Sequence, residues 1–572
     1  MTTRTLVMVL ALGAAMLPLR AAGADDAADK RFREAFKPVK LAPAAKVEKD
    51  VTPLLPTGIV TEAAPFEAVI QKLFAPLDAQ LAQRLDAMAA VGATSDPVAS
   101  VVSAAGVMDA ESADLAARVA GVESMYDEVW DAGYMESGEK QHRARKLAAV
   151  LIPFYRTIAA RNAAAASRAP EGLAKGADAA RVARLVTAAT SDPSPSVRAM
   201  TIAALGRAGG PDAREALMRI RAADASGSMR SRALAALCSF KVAEVKEAIV
   251  ASLADPAWEV RALAAAICVR AKLVEAAGAL VQAMQTEDGR LRKDFDDALQ
   301  ALVGVRFYGD AALAKRWWAE NQAAVAEKAK ALAAAGEYDK PVGAVETWDQ
   351  PDVSGEGAEK AKGVTSSFYG IATPSRRILF VVDISFSMAD PAGAKPAAPT
   401  GVSKDQYPAP AGGAKIDIAR WQLHRAVAAL PKDVAFDFVV FSESYKLWQP
   451  EMTEASDKGK GRAHEFIDSI KPNGTTNICD SLDKVFELVA GPAAARGKPA
   501  REALGADTVY LMTDGNPNRG RISDGAALLE SVIARNRAAR LVFHTIGIGE
   551  AAGSTLLQSL AKRTGGQYVE FR

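Results

Sequence analysis

Apolar residues recur at helical spacing through most of the first 335 positions, and the rhythm changes afterwards. From 63 to about 165, stretches such as "PFEAVIQKLFAPLDAQLAQRLDAMAAV" and "HRARKLAAVLIPFYRTIAARNA" place apolar residues three and four apart, the pattern of amphipathic helices. Ahead of them, residues 25–62 mix charges with "KPVKLAPAAK" and "VTPLLPTG", which predicts an extended lead-in with little packing. From 376 the texture is different. "RRILFVVDIS" is an unbroken apolar run, as a strand covered on both faces requires. Helix "KIDIARWQLHRAVAAL", strand "AFDFVVFS", helices "KGRAHEFIDSI" and "DSLDKVFELVA", strand "DTVYLMTDG", helix "GAALLESVIARNRAA", strand "RLVFHTIGIG" and helix "TLLQSLAKRTG" follow in order. Strands alternating with helices predict an α/β domain with a doubly wound, mostly parallel sheet. In such sheets ligands bind beyond the carboxyl ends of the strands.

The helical part also repeats itself. "SDPSPSVRAMTIAALGRAG", "SGSMRSRALAALCSFK", "ADPAWEVRALAAAICVRAK" and "EDGRLRKDFDDALQALVG" superpose with Arg198, Arg232, Arg261 and Arg292 in register, at intervals of 34, 29 and 31 residues. That is solenoid spacing. Each unit has a polar turn, often Asp-Pro, then a basic residue and a helix rich in Ala and Leu that faces neighbours on two sides. This order resembles the HEAT repeat family over about 150 residues. The resemblance implies an α-solenoid that binds other proteins along a curved surface. The Trp317–Trp318 pair that follows reads as the core of a closing helix.

The organisation predicted is therefore a leader at 1–24, the lead-in at 25–62, a helical module at 63–180, HEAT-like repeats at 181–335, a Gly-, Pro- and acid-rich linker at 336–372 and the α/β domain at 373–572. The leader is read from Arg4, the apolar run "LVMVLALGAAMLPL" and small residues Ala22 and Ala24 before Asp25. It implies export, with a periplasmic or secreted destination. The run is too short to span a bilayer and no later segment is long and apolar enough, so no membrane span is expected. Loss of Arg4 and Arg20 with the leader lowers the formal charge from +2 to about zero. A near-neutral chain without a dense basic block is a poor nucleic-acid binder. Three cysteines (Cys238, Cys268 and Cys479) are too few for a disulfide framework.

The candidate chemistry centres on one string that occurs twice. "DASGSM" from Asp224 and "DISFSM" from Asp383 both spell Asp-x-Ser-x-Ser, the opening ligands of a metal-ion-dependent adhesion site. The first lies on an inter-helix turn, preceded by the helical "EALMRIRAA" and not by a strand. Asp224, Ser226 and Ser228 are therefore read as turn formers and helix N-cap candidates. The second closes a buried strand. Asp383, Ser385 and Ser387 share the carboxyl edge with Thr476 in "PNGTTNICDSL" and with Asp514 at the end of "TVYLMTD". Two carboxylates and three hydroxyls from three loops make an oxygen-only set suited to Mg²⁺, Mn²⁺ or Ca²⁺ and poor for zinc.

On these five positions the last 197 or so residues resemble a von Willebrand factor type A domain with a complete metal motif. The resemblance implies that hydroxyls at Ser385 and Ser387 bind metal directly, and Thr476 directly or through water. The carboxylates at Asp383 and Asp514 often act through water, and an acidic residue of a partner protein completes the shell. Two departures stand out. Phe386 occupies a position usually held by Gly, and the insertion "ADPAGAKPAAPTGVSKDQYPAPAGGA" separates the string from its helix, with Lys404 and Tyr407 as possible contacts. The implied function is an exported, non-enzymatic binding protein with the helical repeats as scaffold. The alternative is a subunit of a larger chelatase-like or enzyme assembly. His142, His424, His464 and His544 form no metal-protease string, and no phosphate-loop or nucleophile-elbow motif occurs. Cys479 has no His beside it in sequence that would make it a nucleophile.

Overall fold

The computed structural model describes residues 25–57, 64–127, 139–343, 366–369, 371–373, 375–392, 410, 413–489, 506–549 and 554–571. The leader at 1–24, Lys404 and Tyr407 of the insertion, and most of the linker lie outside the described residues.

Residues 25–57 are helical where an extended lead-in is expected. Helix α1 spans Asp25–Ala35 and α2 spans Ala44–Val51. Pro38, Pro43, Pro53 and Pro56 stand at or beyond the helix ends, so they punctuate the helices without breaking them. Phe32, Phe36, Val47 and Val51 are buried. They pack against cores shared with α3 (Ala64–Ala89), α4 (Pro97–Asp127) and α5 (Glu139–Ala174). One side chain ties this module together. Arg84 of α3, fully buried, donates to Glu111 of α4 at 2.6 and 2.9 Å and to Asn162 of α5 at 2.7 Å. It also donates to the carbonyls of Ala35 and Lys37 at the end of α1. A buried guanidinium needs this many acceptors.

The repeats follow as helix pairs: α6 (Ala179–Ser191) leads into α7 (Pro195–Ala208) with α8 (Gly210–Ala223), α9 (Gly227–Leu237) with α10 (Val242–Ala251), α11 (Trp258–Arg270) with α12 (Ala277–Thr286), and α13 (Gly289–Val303) with α14 (Ala311–Ala334). One continuous core runs from Phe32 to Val342, so the helical module and the repeats are a single packed body. Trp317 and Trp318 pack on its end, Trp317 with its ring 5.5 Å from that of Phe307. The structural register corrects the sequence superposition at one position. Arg230, not Arg232, is the equivalent of Arg198 and Arg261, because Arg230 and Arg261 each donate to the carbonyl six residues back, both at 2.7 Å. Each also reaches an acid of the next unit: Arg198 to Asp224, Arg230 to Asp255 and Arg261 to Glu287.

The predicted linker is shorter at both ends than 336–372. Tyr338 and Val342 are buried in the helical core, and Lys241 bridges to Pro341. Strands β1 (Ser366–Phe368) and β2 (Ile371–Thr373) form a hairpin whose Phe368 packs edge-on to Phe380 at 5.2 Å. The seven-stranded main sheet contains β3 (Arg377–Asp383), β4 (Ala435–Phe441), β5 (Tyr445–Leu447), β6 (Thr453–Glu454), β7 (Thr508–Thr513), β8 (Val542–Ile548) and β9 (Tyr568–Phe571). Their order is β5-β4-β3-β7-β8-β9, with β6 also on β4. The pairs among β3, β4, β7, β8 and β9 are parallel, and β5 and β6 are antiparallel to β4. Alternation along β3 separates two cores. Ile378, Phe380 and Val382 face α15 (Lys415–Ala429) and α16 (Asp457–Ser469). Leu379 and Val381 face α17 (Ile478–Val489), α18 (Gly525–Ala539) and α19 (Ser554–Thr564). This is the doubly wound sheet expected from the unbroken apolar runs.

Candidate functional site

The switch in strand order places β3 between β4 and β7, so the loops leaving β3 and β7 share one end of the sheet. Asp383 is the last residue of β3 and is fully buried. Its Oδ1 accepts from the Ser385 amide at 2.8 Å, which folds the loop back, and its Oδ2 accepts from the Thr513 hydroxyl at the end of β7. Ser385 Oγ lies 3.1 Å from Ser387 Oγ, and Ser387 Oγ donates to Asp514 Oδ1 at 2.8 Å. Four of the five sequence-predicted residues thus form one hydrogen-bonded cluster. Burial first, and the charge of Asp514 second, push the Asp383 carboxyl up to about 7. Two acids this close favour a cation.

Thr476 arrives with its loop. The Asn473 amide donates to the Ile384 carbonyl at 2.6 Å and the Phe386 amide to the Gly474 carbonyl at 2.9 Å, fastening this loop beside the first. Asn518, four residues after Asp514, brackets Thr476: its Oδ1 accepts from the Thr476 amide at 2.9 Å and its amide donates to the Thr476 carbonyl. Among the described residues the Thr476 hydroxyl has no hydrogen-bond partner, so its acceptor capacity is uncommitted. Gly474 sits at φ +64°, and a Cβ there would fall 1.3 Å from Glu443 Oε2. Only glycine fits both conditions. Phe386 supplies this loop-to-loop contact through its backbone, which any residue type could do, so the loop tolerates the departure from glycine.

Sequence reasoning missed three residues at this rim. Lys415, the first residue of α15, donates to Asp514 Oδ2 at 2.7 Å. Its one available signal was a lysine in the first turn of a helix, where the backbone dipole disfavours a cation. Arg519 donates to Thr475 Oγ1 at 2.7 Å and lies 3.6 Å over the Phe66 ring of α3, so the third loop is braced by the helical part of the chain. Glu443 is a buried carboxylate over Gly474. No local pattern marks the last two.

Other candidates resolve into structure. Burial drives the Cys479 thiol well above its ordinary range, so it stays protonated. Cys479, Asp480 and Asp483 lie close together, but Asp483 already faces Arg521 and Arg535. His544 stacks on Tyr510 at 4.9 Å and accepts from the Gln567 amide, and burial lowers it to about 3. His142 has no described side chain. His424 and His464, 40 residues apart in sequence, meet across α15 and α16. The first Asp-x-Ser-x-Ser string stays with the repeats. Asp224 pairs with Arg198, Ser226 caps α9 and Ser228 is exposed. Cys238 and Cys268 are buried and unbridged.

Comparison with known proteins agrees with this division. A family model described as von Willebrand factor type A domain matches residues 412–570, and one described as HEAT repeats matches 150–238. The first contains Thr476 and Asp514, while Asp383, Ser385 and Ser387 precede it. Inter-alpha-trypsin inhibitor heavy chain H3 of Mesocricetus auratus is 22% identical over 192 residues, covering 34% of this chain and 18% of that protein. Human von Willebrand factor A domain-containing protein 3A is 26% identical over 137 residues, covering 23% and 10%. The chain thus spans under a fifth of the length of these relatives. Among solved structures, a von Willebrand factor type A protein from Catenulispora acidiphila aligns at 19% identity over 35% of this chain and 40% of its own, with a TM-score of 0.26. Manganese-loaded TRAP protein of Plasmodium vivax aligns at 19% identity over 34% and 68%, with a TM-score of 0.23. The described helices include none long and apolar enough to cross a membrane. The chain carries HEAT repeats in its helical part and a von Willebrand factor type A domain behind them.

Proposed function

We propose that the C-terminal domain holds one divalent cation between Asp383, Ser385, Ser387, Thr476 and Asp514, and through it binds an acidic residue of a partner protein. The reading extends to a non-enzymatic, exported protein in which the helical repeats are the scaffold. The observation that carries it is the Ser385–Ser387–Asp514 chain of oxygens at the carboxyl edge of the sheet, with the loop that bears Thr476 fastened by its backbone to the Ser385–Ser387 loop. The donor set fits Mg²⁺, Mn²⁺ or Ca²⁺, which take oxygen ligands. The Lys415 ammonium, already on Asp514, is a cation in the place where one is wanted. It must leave Asp514 for the ion to bind there, and its flexible stem allows that. A bound ion would supply Lewis acidity toward an incoming carboxylate. The brace from Phe66 to Arg519 supports the scaffold role, because it fixes the loop that begins at Asp514.

The test is calorimetric titration of the full chain with Mn²⁺, followed by a short Glu-containing peptide. Peptide binding that requires Mn²⁺ and disappears in the Ser385→Ala/Ser387→Ala variant is the expected result. Peptide binding that persists in chelator overturns the reading.

A further inference from the structure

The seam between α15 and α16 carries three rungs of polar contacts. Arg420 donates to the Ile470 carbonyl at one end, and Lys460 donates to the Ala428 carbonyl at 2.9 Å at the other. Between them His424 Nδ1 and His464 Nδ1 face each other at 2.8 Å. The spacing of four residues along each helix, 420-424-428 and 460-464-468, puts these groups on one stripe of each. Leu423 and Ala463, next to the two histidines in sequence, and Val427 and Ile467, three residues on, are buried in the core between these helices and the sheet. The backbone beneath the pair is therefore fixed, and the pair is preorganised.

We propose that His424 and His464 form a second metal site, selective for a transition ion such as Cu²⁺, Ni²⁺ or Zn²⁺ and separate from the oxygen cluster. Two features point to an ion. First, the rings lie 25° from parallel with centroids 5.0 Å apart, while their Nδ1 atoms are only 2.8 Å apart, so the two nitrogen edges converge. Two imidazole nitrogens sharing one ion at about 2.0–2.1 Å are separated by roughly 2.8–3.4 Å across the range from right-angled to tetrahedral geometry. Second, Asp468 Oδ1 lies 2.9 Å from His424 Nε2. A carboxylate there takes the Nε2 hydrogen, which leaves the lone pair of His424 on Nδ1, facing its partner. This is the carboxylate–histidine arrangement that orients metal-binding imidazoles. Water would complete the coordination. Nitrogen ligands favour Cu²⁺ over Ni²⁺ and Zn²⁺ and discriminate against Mg²⁺ and Ca²⁺. The site does not depend on the oxygen cluster, although both touch α15, whose first residue is Lys415.

The experiment is titration of the full chain with Cu²⁺ and, separately, Zn²⁺. Calorimetry gives the stoichiometry, and electron paramagnetic resonance of the Cu²⁺ form reports nitrogen ligands. Ser387→Ala provides the control for the oxygen cluster. The expected result is one Cu²⁺ bound at micromolar concentration with imidazole nitrogen couplings. Binding falls at least tenfold in His424→Gln and in His464→Gln, about tenfold or more in Asp468→Asn, and is unchanged in Ser387→Ala. Thermal unfolding separates loss of the ligand from loss of the fold: Cu²⁺ raises the Tm of the parent chain and leaves that of the His424→Gln/His464→Gln variant unmoved. Equal Cu²⁺ binding by the parent and the double variant, or no micromolar binding by the parent, overturns the proposal.

Discussion

Residues 224–228 and 383–387 share the string Asp-x-Ser-x-Ser, and their first step of folding is the same. Asp224 Oδ1 accepts from the Ser226 amide at 2.9 Å, and Asp383 Oδ1 accepts from the Ser385 amide at 2.8 Å. Both are Asx turns, the local bond that Asp makes two residues on. The paths then diverge. Ser226 caps α9, Asp224 turns its second oxygen to Arg198, and the unit repeats at Asp192 and Asp255, whose Oδ1 atoms accept from Ser194 and Ala257. Asp383 ends a buried strand instead, and its loop meets a second and a third loop from distant parts of the chain. The lesson is that the string encodes a turn. Whether the turn becomes part of a ligand shell depends on what the rest of the fold brings to it.

The sharpest way to break this comparison is to remove the first residue of each string. Asp383→Ala is expected to weaken Mn²⁺ binding by at least a hundredfold by calorimetry, roughly 2.7 kcal/mol, whereas Asp224→Ala leaves it unchanged. A metal defect in Asp224→Ala would sink the distinction. The next effect is in stability. Asp224→Ala removes the carboxylate that faces the half-buried Arg198, leaving it the Ala189 carbonyl, together with the turn bond, and should lower the free energy of unfolding by about 2 kcal/mol in urea titration. The smallest concerns the competing cation. Lys415→Met should raise Mn²⁺ affinity about tenfold, since the ammonium no longer has to be displaced from Asp514. An unchanged or weaker affinity would mean that Lys415 is not competing for the ion's place.

Much of this architecture was legible in sequence, because the signals were periodic. Helical spacing and the recurring Arg mark the solenoid, although the superposition sets Arg232 in the place that Arg230 holds: both lie in the first half of the same Ala-rich helix, and only the bonds to the Asp224 carbonyl and to Asp255 separate them. Unbroken apolar runs marked the strands, and the polar residues at their ends marked the rim. The helices at 25–57 were not legible. They are short, mixed in charge and flanked by prolines, and their stability comes from Phe32, Phe36, Val47 and Val51 docking on other helices. The β1–β2 hairpin was missed within the linker for a related reason: three-residue strands carry almost no periodic signal.

The alternation of strands and helices in the C-terminal domain, the apolar cover on both faces of its sheet and the position of Asp383 and Asp514 at strand ends follow from the sequence alone, since each is a local or periodic property. The fold alone determined that Lys415 would stand on the Asp514 carboxylate, that α3 would brace Arg519, and that His424 would face His464 at 2.8 Å. Each of these joins residues tens to hundreds of positions apart. Such contacts are fixed by the packing of apolar faces elsewhere in the chain, which carries the polar groups along without reference to their chemistry.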